Sequence, residues 1–203
     1  MTVLPLFETP VFLFEVPDTD ALDAELRERL VTESDDGPGI VVSNRGGWHS
    51  APDLSKRPDP ACLALCDMLV AHFQIATEQL AAIRGIDPVP PLAIGLTAWA
   101  MVMRDGDYTV MHDHPQATWS CAYYVDPGDP DEARHPDAGH LALVDPRRAS
   151  AAVIGLELFP AVFSVRPTRG LLVIFPGYLQ HYVHPYRGTR PRVVVAANAS
   201  VRV

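Results

Sequence analysis

The chain has 203 residues, 48% of them hydrophobic and 20% charged, so one domain can bury its own core, and its three cysteines do not make a disulfide framework. Its formal net charge of -9, without a cluster of lysines and arginines, disfavours nucleic acid as a partner. The apolar runs are too short to span a bilayer and the N-terminus lacks a signal-peptide pattern, so we expect a cytoplasmic protein that binds no membrane.

The first part of the chain predicts two helices. Residues Val11 to Val16 have the pattern of a strand, and Asp18, Thr19 or Asp20 can cap a helix that follows. The apolar positions of that helix recur at helical spacing: Leu22, Leu26 and Leu30. A longer amphipathic helix is predicted from Asp59 to Arg84 and ends before a glycine. Both helices are expected to support a sheet.

Between the two helices lies the segment SNRGGWHS, from Ser43 to Ser50. Its glycine pair requires a sharp bend of the chain. Trp48 and its glycines can be interpreted as a structural turn or as part of a pocket rim, and periodicity alone does not decide between them.

The second part of the chain consists almost wholly of predicted strands. They are Ala93 to Arg104, Thr109 to His114, Ala117 to Val125, His140 to Val144, Leu171 to Phe175, Gln180 to His184 and Arg192 to Val203. Helices followed by a run of strands predict an α+β fold that is mainly β. We expect one domain, 1–203, with helical and loop support in 1–91 and the β core in 92–203.

Two segments interrupt the predicted strands. Asp126 to Gly139 is acidic and rich in proline, and Asp145 to Thr168 contains an arginine pair followed by an apolar stretch that fits neither strand nor helix. Each can be interpreted as a loop over a functional site or as an ordinary surface connection.

The stretch Tyr108 to Val125 holds two histidines, His112 and His114, separated by one residue within a predicted strand. Alternate residues of a strand share a face, so both imidazoles point the same way and can bind one metal ion. Asp113 would point the opposite way unless the strand contains a bulge, so His114 is the preferred second ligand and Asp113 the alternative.

The candidate for a third ligand is His181, which follows the turn Pro176-Gly177. His184, three residues later on an extended strand, would face away from it. Three neutral imidazoles on one side of an ion leave open positions for substrate or dioxygen, and they suit iron, zinc, copper or nickel.

Arg192 begins the apolar strand RVVVAANASV. An arginine that enters a buried strand is costly unless it meets an anion, and its planar fork matches a carboxylate. Arg190 is the competing choice, but it precedes Pro191 and so is expected outside the sheet. Asn198 has the strand parity of Arg192 and is either a structural hydrogen-bonding residue or part of the same pocket. Four aromatic residues are either core or pocket wall: Tyr108, Trp119, Tyr123 and Tyr124.

The order HxHP, SCAYYV, FPGYLQH and RVVVAANAS resembles the bacterial family of iron(II)- and 2-oxoglutarate-dependent oxygenases, with SNRGGWHS as a further similar segment. The resemblance covers roughly the second half of the chain. It implies a double-stranded β-helix, a jelly-roll or cupin-like barrel supported by N-terminal helices. It also implies Fe(II) on His112, His114 and His181, with Arg192 on the distal carboxylate of 2-oxoglutarate. His114 stands where most enzymes of the superfamily have a carboxylate.

The resulting first hypothesis is a dioxygenase that uses Fe(II), 2-oxoglutarate and O2 to hydroxylate a small molecule or a protein side chain. Arg192, Tyr124 and Asn198 are its predicted cosubstrate-binding residues. The alternatives are a three-histidine cupin-like dioxygenase that does not use 2-oxoglutarate, and a non-catalytic metal- or ligand-binding protein of the same fold. The exposed sheet edges expected of such a barrel would allow a homodimer.

Overall fold

The computed structural model describes residues 7–147 and 160–203. Two helices and eleven strands follow the order of the chain, with a short 3-10 helix at Leu54–Lys56. The elements are β1 (Phe12–Glu15), α1 (Asp20–Asp36), β2 (Asn44–Arg45), β3 (Trp48–His49), α2 (Pro60–Ile83), β4 (Ala93–Met103), β5 (Tyr108–His112), β6 (Trp119–Asp126), β7 (Leu141–Val144), β8 (Val162–Val165), β9 (Leu171–Pro176), β10 (His181–Val183) and β11 (Arg192–Arg202).

The strands form two antiparallel sheets that enclose a common interior. The six-stranded sheet has the order β1-β9-β6-β11-β4-β3, and the five-stranded sheet has the order β2-β5-β10-β7-β8. Side chains from both sheets share one buried cluster, including Val173 and Val194 from the first sheet and Leu141 and Val183 from the second. The predicted mainly β architecture and double-stranded β-helix are confirmed.

Side chains alternate along β11, so the six-stranded sheet contributes to two buried clusters, one on each face. Val193, Val195 and Ala197 pack with the helices on one side of the six-stranded sheet. Arg192 and Asn198, which have the opposite parity, face the space between the sheets. The central strand therefore presents an apolar row to the helices and a mixed row to the interior.

The helices cover the outer face of the six-stranded sheet. α2 starts at Pro60, after Asp59, whose side chain accepts a hydrogen bond from the backbone of Cys62. Among the helices in 7–147 and 160–203, α2 is the one that is long and apolar enough to cross a membrane, judged by length and composition only. Its buried face, which includes Leu69 and Phe73, belongs to the core beneath the sheet.

Two features differ from the expectations from sequence. The segment SNRGGWHS contains two short strands, β2 and β3, rather than only a turn. Strand β8 lies within Asp145 to Thr168, where no strand was predicted. Parts of the arginine pair and of the apolar stretch in that segment fall in 148–159, outside the described part of the chain. The loop before Gly139, for which both interpretations were open, bonds to the segment that precedes Arg192, from Asp131 to Arg187 and from Gly139 to Pro185.

Candidate metal and cosubstrate site

Three histidines meet inside the barrel. His112 ends β5 and pairs directly with His181, the first residue of β10, while His114 follows two residues after His112. The ring centroids are 4.3 Å apart for His112 and His181, 5.1 Å for His112 and His114, and 5.3 Å for His114 and His181. Their ligand atoms all lie within 4.8 Å of one another. The three rings could therefore hold one metal ion between them.

Two of the three rings have a defined tautomer. Nδ1 of His112 donates to the carbonyl of Val110 at 2.8 Å, and Nδ1 of His181 donates to the carbonyl of Leu179 at 2.9 Å. A carbonyl can only accept, so Nε2 of both rings keeps a free lone pair for a metal. Burial lowers the pKa of His181 to about 3 and that of His114 to about 4, with neighbouring histidines as a further cause. Burial lowers the pKa of His112 as well, so all three rings are neutral near pH 7, the form that binds metal.

The backbone of His114 is held by the turn that precedes His181. Its N–H donates to the carbonyl of Gly177 at 2.7 Å, and its own carbonyl accepts from Ala117 at 2.9 Å across a turn that begins with Pro115. A Cβ at position 177 would lie 2.7 Å from the His114 carbonyl oxygen, closer than real Cβ atoms approach. The HxHP and FPG segments therefore fit together only if position 177 is glycine.

The neighbouring candidates lie outside the cluster. Asp113 is exposed and is not part of the cluster that His112, His114 and His181 form. His184 lines a surface cleft together with His135 and Arg187. β5 ends at His112 and β10 at Val183, so Asp113, His114 and His184 lie just beyond the strands that the parity argument assumed. The ligand roles themselves stay predictions.

Arg192 is 1% exposed, and its surroundings are incomplete. Its guanidinium carbon lies 5.2 Å from the ring centroid of Tyr124, and Nη1 lies 3.4 Å from Sδ of Met103. Nε of Arg192 and the hydroxyl of Tyr124 are buried and make no hydrogen bond within the described residues, although the guanidinium is near enough to oppose the rise in pKa that burial gives to Tyr124. No carboxylate of the described residues acts on the guanidinium. Burial lowers the pKa of Arg192. A buried cation in this state is costly until an anion reaches it.

A cavity of about 50 Å³ connects the histidines with Arg192, and Tyr124 and Asn198 also line it. Since one water needs roughly 10–15 Å³ on this scale, the space holds about four waters. The amide oxygen of Asn198 accepts from Ser120 at 2.8 Å, which orients the amide at the cavity wall. Neutral nitrogens at one end and an unpaired guanidinium at the other fit a divalent ion and a dicarboxylate.

The other candidates named from sequence have different surroundings. Tyr123 faces the helices and donates to Asp23 at 2.7 Å, while the indole of Trp119 donates to Thr77 at 2.9 Å. Tyr108 is exposed. Arg190 lies on the surface and donates to the carbonyl of Gly128. None of these side chains lines the cavity described above.

Two residues near the cluster were not singled out by sequence reasoning. His49 in β3 is 5% exposed and stacks on Trp99 of β4. Trp99 lines the cavity and contacts the ring of His114. The similar segment SNRGGWHS was a signal for His49, but its pairing with β4 joins distant parts of the chain and cannot be obtained from periodicity.

Solved structures of low sequence identity share this fold. A prolyl-4-hydroxylase from Pseudomonas putida has a TM-score of 0.59 and 17% identity, with 98% of this chain and 96% of that chain covered. HygX from Streptomyces hygroscopicus, solved with nickel and 2-oxoglutarate, has a TM-score of 0.59 and 14% identity, with 95% and 83% covered. The viral collagen prolyl hydroxylase from Paramecium Bursaria Chlorella virus-1 has a TM-score of 0.55 and 11% identity, with 95% and 96% covered.

A comparison with curated proteins found no match. A family model described as "Putative 2OG-Fe(II) oxygenase" matches residues 97–198, half of the chain. The match spans the whole distance from Trp99, through the three histidines and Arg192, to Asn198. The chain belongs to the 2OG-Fe(II) oxygenase family and is an oxidoreductase that uses iron and 2-oxoglutarate.

Proposed function

We propose that the protein holds Fe(II) through His112, His114 and His181 and binds 2-oxoglutarate with its far carboxylate on Arg192. With O2 it then hydroxylates an unidentified small molecule or protein side chain. Membership of the family supports the oxygenase chemistry. The roles given to individual residues, and hydroxylation as the outcome, are the proposal.

One observation carries the assignment of residues: a fully buried arginine without an anionic partner shares a cavity with three neutral histidines. A structural arginine at this depth would be expected to have a carboxylate beside it. A dicarboxylate cosubstrate supplies that carboxylate and reaches toward the histidines with its other end. The partnerless hydroxyl of Tyr124 is suited to donate to the same carboxylate.

The charges of the site also suit this cosubstrate. Three neutral histidines do not reduce the double positive charge of Fe(II), and Arg192 adds one more. In the commoner arrangement of two histidines and one carboxylate, the protein cancels part of that charge itself. Here the doubly negative 2-oxoglutarate is the group that balances the ion.

When bound, Fe(II) and 2-oxoglutarate supply the oxidising chemistry, and the chain's residues bind, orient and exclude water. The backbone around Gly177 fixes His114, and the carbonyls of Val110 and Leu179 fix the other two rings. Gly139 packs against Arg192, where a Cβ would lie 3.3 Å from Cδ, and Arg192 itself is 1% exposed, so this end of the site is shielded from solvent.

A groove of about 380 Å³ shares Asn198 with the cavity, and we propose that the substrate enters from this side. Gly95, Thr97, Gln116 and Ser200 line that groove, and its lining among the described residues carries no charged side chain. This favours an uncharged polar group on the substrate next to the reacting carbon. Two of the solved relatives are named prolyl hydroxylases, which is compatible with a protein side chain.

The test is a calorimetric titration of 2-oxoglutarate into the Fe(II)-loaded protein without oxygen, alongside the metal-free protein. We expect binding that depends on the metal, and succinate formation when oxygen is admitted. Intact metal binding without 2-oxoglutarate binding would favour the three-histidine dioxygenase that does not use this cosubstrate. Binding without succinate, even with a broad substrate panel, would favour the non-catalytic alternative.

Two further proposals concern the whole protein: a cytoplasmic location and a homodimer formed through exposed sheet edges. Cell fractionation tests the first, and sedimentation or light scattering of the purified protein tests the second.

A further inference from the structure

The three histidines are supported differently. The rings of His112 and His181 each donate from Nδ1 to a backbone carbonyl. The ring of His114 makes no hydrogen bond to any residue of the described segments, although its backbone is held on both sides. Metal-bound histidines almost always donate their second ring N–H to a partner that sets their orientation. Something else must orient the ring of His114.

The side chain packed on His114 from the six-stranded sheet is Trp99. The two ring centroids are 5.6 Å apart with an angle of 59° between the planes. Trp99 faces the interior of the barrel from β4, opposite Ala196 of β11. A small residue at the paired position leaves room for the indole beside the histidine cluster.

Trp99 is in turn backed by His49. The imidazole of His49 lies almost parallel to the indole, with 9° between the planes and 5.8 Å between the centroids. Nδ1 of His49 is 2.6 Å from the carbonyl oxygen of Ser50, to which it donates. Ser50 is bound to β4 through Ala100, which accepts from the Ser50 backbone at 3.0 Å and donates to its hydroxyl at 2.9 Å. His49 is thus fixed to the strand that carries Trp99.

The glycine pair before Trp48 makes this arrangement possible. Gly46 and Gly47 have φ values of +67° and +63°, in the left-handed region that favours glycine. A Cβ at Gly46 would collide with the carboxylate of Asp107. The bend lets β3 turn back onto β4, where His49 pairs with Met101.

We propose that the stack of His49 on Trp99 positions the imidazole of His114 and thereby sets the metal affinity of the site. The stack orients the ring of His114 by packing, whereas hydrogen bonds to backbone carbonyls orient the rings of His112 and His181. Trp99 and His49 are positioning residues, since they act on the ion through His114. The proposal rests on the proposed function in one respect, the role of His114 as a ligand.

The test measures Ni(II) and Co(II) affinity by calorimetry, together with the visible spectrum of the Co(II) protein. Trp99→Ala is expected to weaken metal binding by about 10- to 100-fold, the range found when outer partners of metal ligands are removed. Trp99→Phe keeps an aromatic ring in place and is expected to restore most of the affinity. His49 contacts Trp99 rather than His114, so His49→Ala is expected to weaken metal binding by a smaller factor.

The matched control is His184→Ala, a histidine close to the cluster in sequence but outside it. This variant is expected to keep the affinity and the Co(II) spectrum of the original protein. Thermal unfolding of each metal-free variant shows whether the fold is retained.

A double-mutant cycle distinguishes positioning from general damage. In a His114→Ala background, Trp99→Ala is expected to have no further effect on metal affinity, because its route of action is gone. An equal loss in both backgrounds overturns the positioning role, and so does an unchanged affinity of Trp99→Ala alone. If His114→Ala itself leaves the affinity unchanged, the ligand set in the proposed function is wrong and the positioning role falls with it.

Discussion

On the two faces of the six-stranded sheet, the hydroxyls of two neighbouring tyrosines have different surroundings. Tyr123 and Tyr124 are adjacent in β6 and both fully buried. On the helix side, the hydroxyl of Tyr123 donates to Asp23, whose other carboxylate oxygen accepts from Thr19 at 2.9 Å. On the barrel side, the hydroxyl of Tyr124 has no partner.

The difference separates groups that stabilise the fold from groups that are available to a ligand. Folded proteins leave few buried polar atoms without a partner, because each costs about 1–3 kcal/mol. In the described residues three side-chain atoms are in this state, and two of them belong to Tyr124 and Arg192. They share the cavity that the histidines line. The third, Nε2 of His140, lies 3.6 Å from Glu132.

The largest expected effect is that of His181→Ala on metal binding. Removing one of three ligands should cost more than the loss of an outer partner, so we expect a decrease in Ni(II) affinity of more than about 100-fold. Calorimetry measures it, with His184→Ala as the control. Retained affinity in His181→Ala would show that the cluster of His112, His114 and His181 is not the metal site.

Arg192→Ala is expected to weaken 2-oxoglutarate binding by at least about 30-fold, or about 2 kcal/mol, because a buried charged partner of the carboxylate is lost. Metal affinity should stay within a few-fold of the original. The control is Arg190→Ala, a surface arginine two residues earlier. Equal losses of metal in both Arg192→Ala and His181→Ala would mean that the division of roles is wrong.

The pair Tyr123→Phe and Tyr124→Phe tests the comparison directly. Tyr124→Phe should weaken 2-oxoglutarate binding by about 10-fold through one lost bond to a charged acceptor, without lowering stability. Tyr123→Phe should lower the free energy of unfolding by about 1–3 kcal/mol and leave 2-oxoglutarate binding unchanged, because Asp23 loses a donor. Chemical denaturation and calorimetry on both variants measure the two effects. The opposite pattern would reverse the assignment of the faces.

The smallest expected effect concerns pH. Burial raises the pKa of Asp23, so the folded protein favours the protonated form more than the unfolded chain does. The associated stability is present below the unfolded pKa and is lost as pH rises through the folded one. Asp23→Asn should remove this contribution to the pH dependence of unfolding. Glu28→Gln, at an exposed carboxylate of the same helix that is not among the charges acting on Asp23, should leave this contribution in place.

Strand alternation and residue chemistry predicted the central residues of the site from sequence. The two-residue period of a strand predicted that His112 and His114 share a site, and they do lie together, although β5 ends at His112. An arginine at the start of an apolar strand predicted a buried cation at Arg192. Tyr124, and not its neighbour Tyr123, was predicted to bind the cosubstrate, and it is Tyr124 that lines the cavity. Its role in binding stays a prediction.

Contacts between distant segments could not be predicted. The approach of Gly177 to His114 and the stack of His49 on Trp99 depend on how strands far apart in the chain pair. Strand β8 was not predicted, because the residues before it in the sequence form an apolar run without clear periodicity.

The pairing of His112 with His181 has a consequence for folding. These residues lie on adjacent strands but far apart in the chain, and an ion bound to both would act as a reversible cross-link between β5 and β10. Anything that binds the folded state alone stabilises it in proportion to the logarithm of its concentration over its dissociation constant. The melting temperature of the protein is therefore expected to rise with metal loading, so a simple thermal scan would report how much of the protein carries its ion.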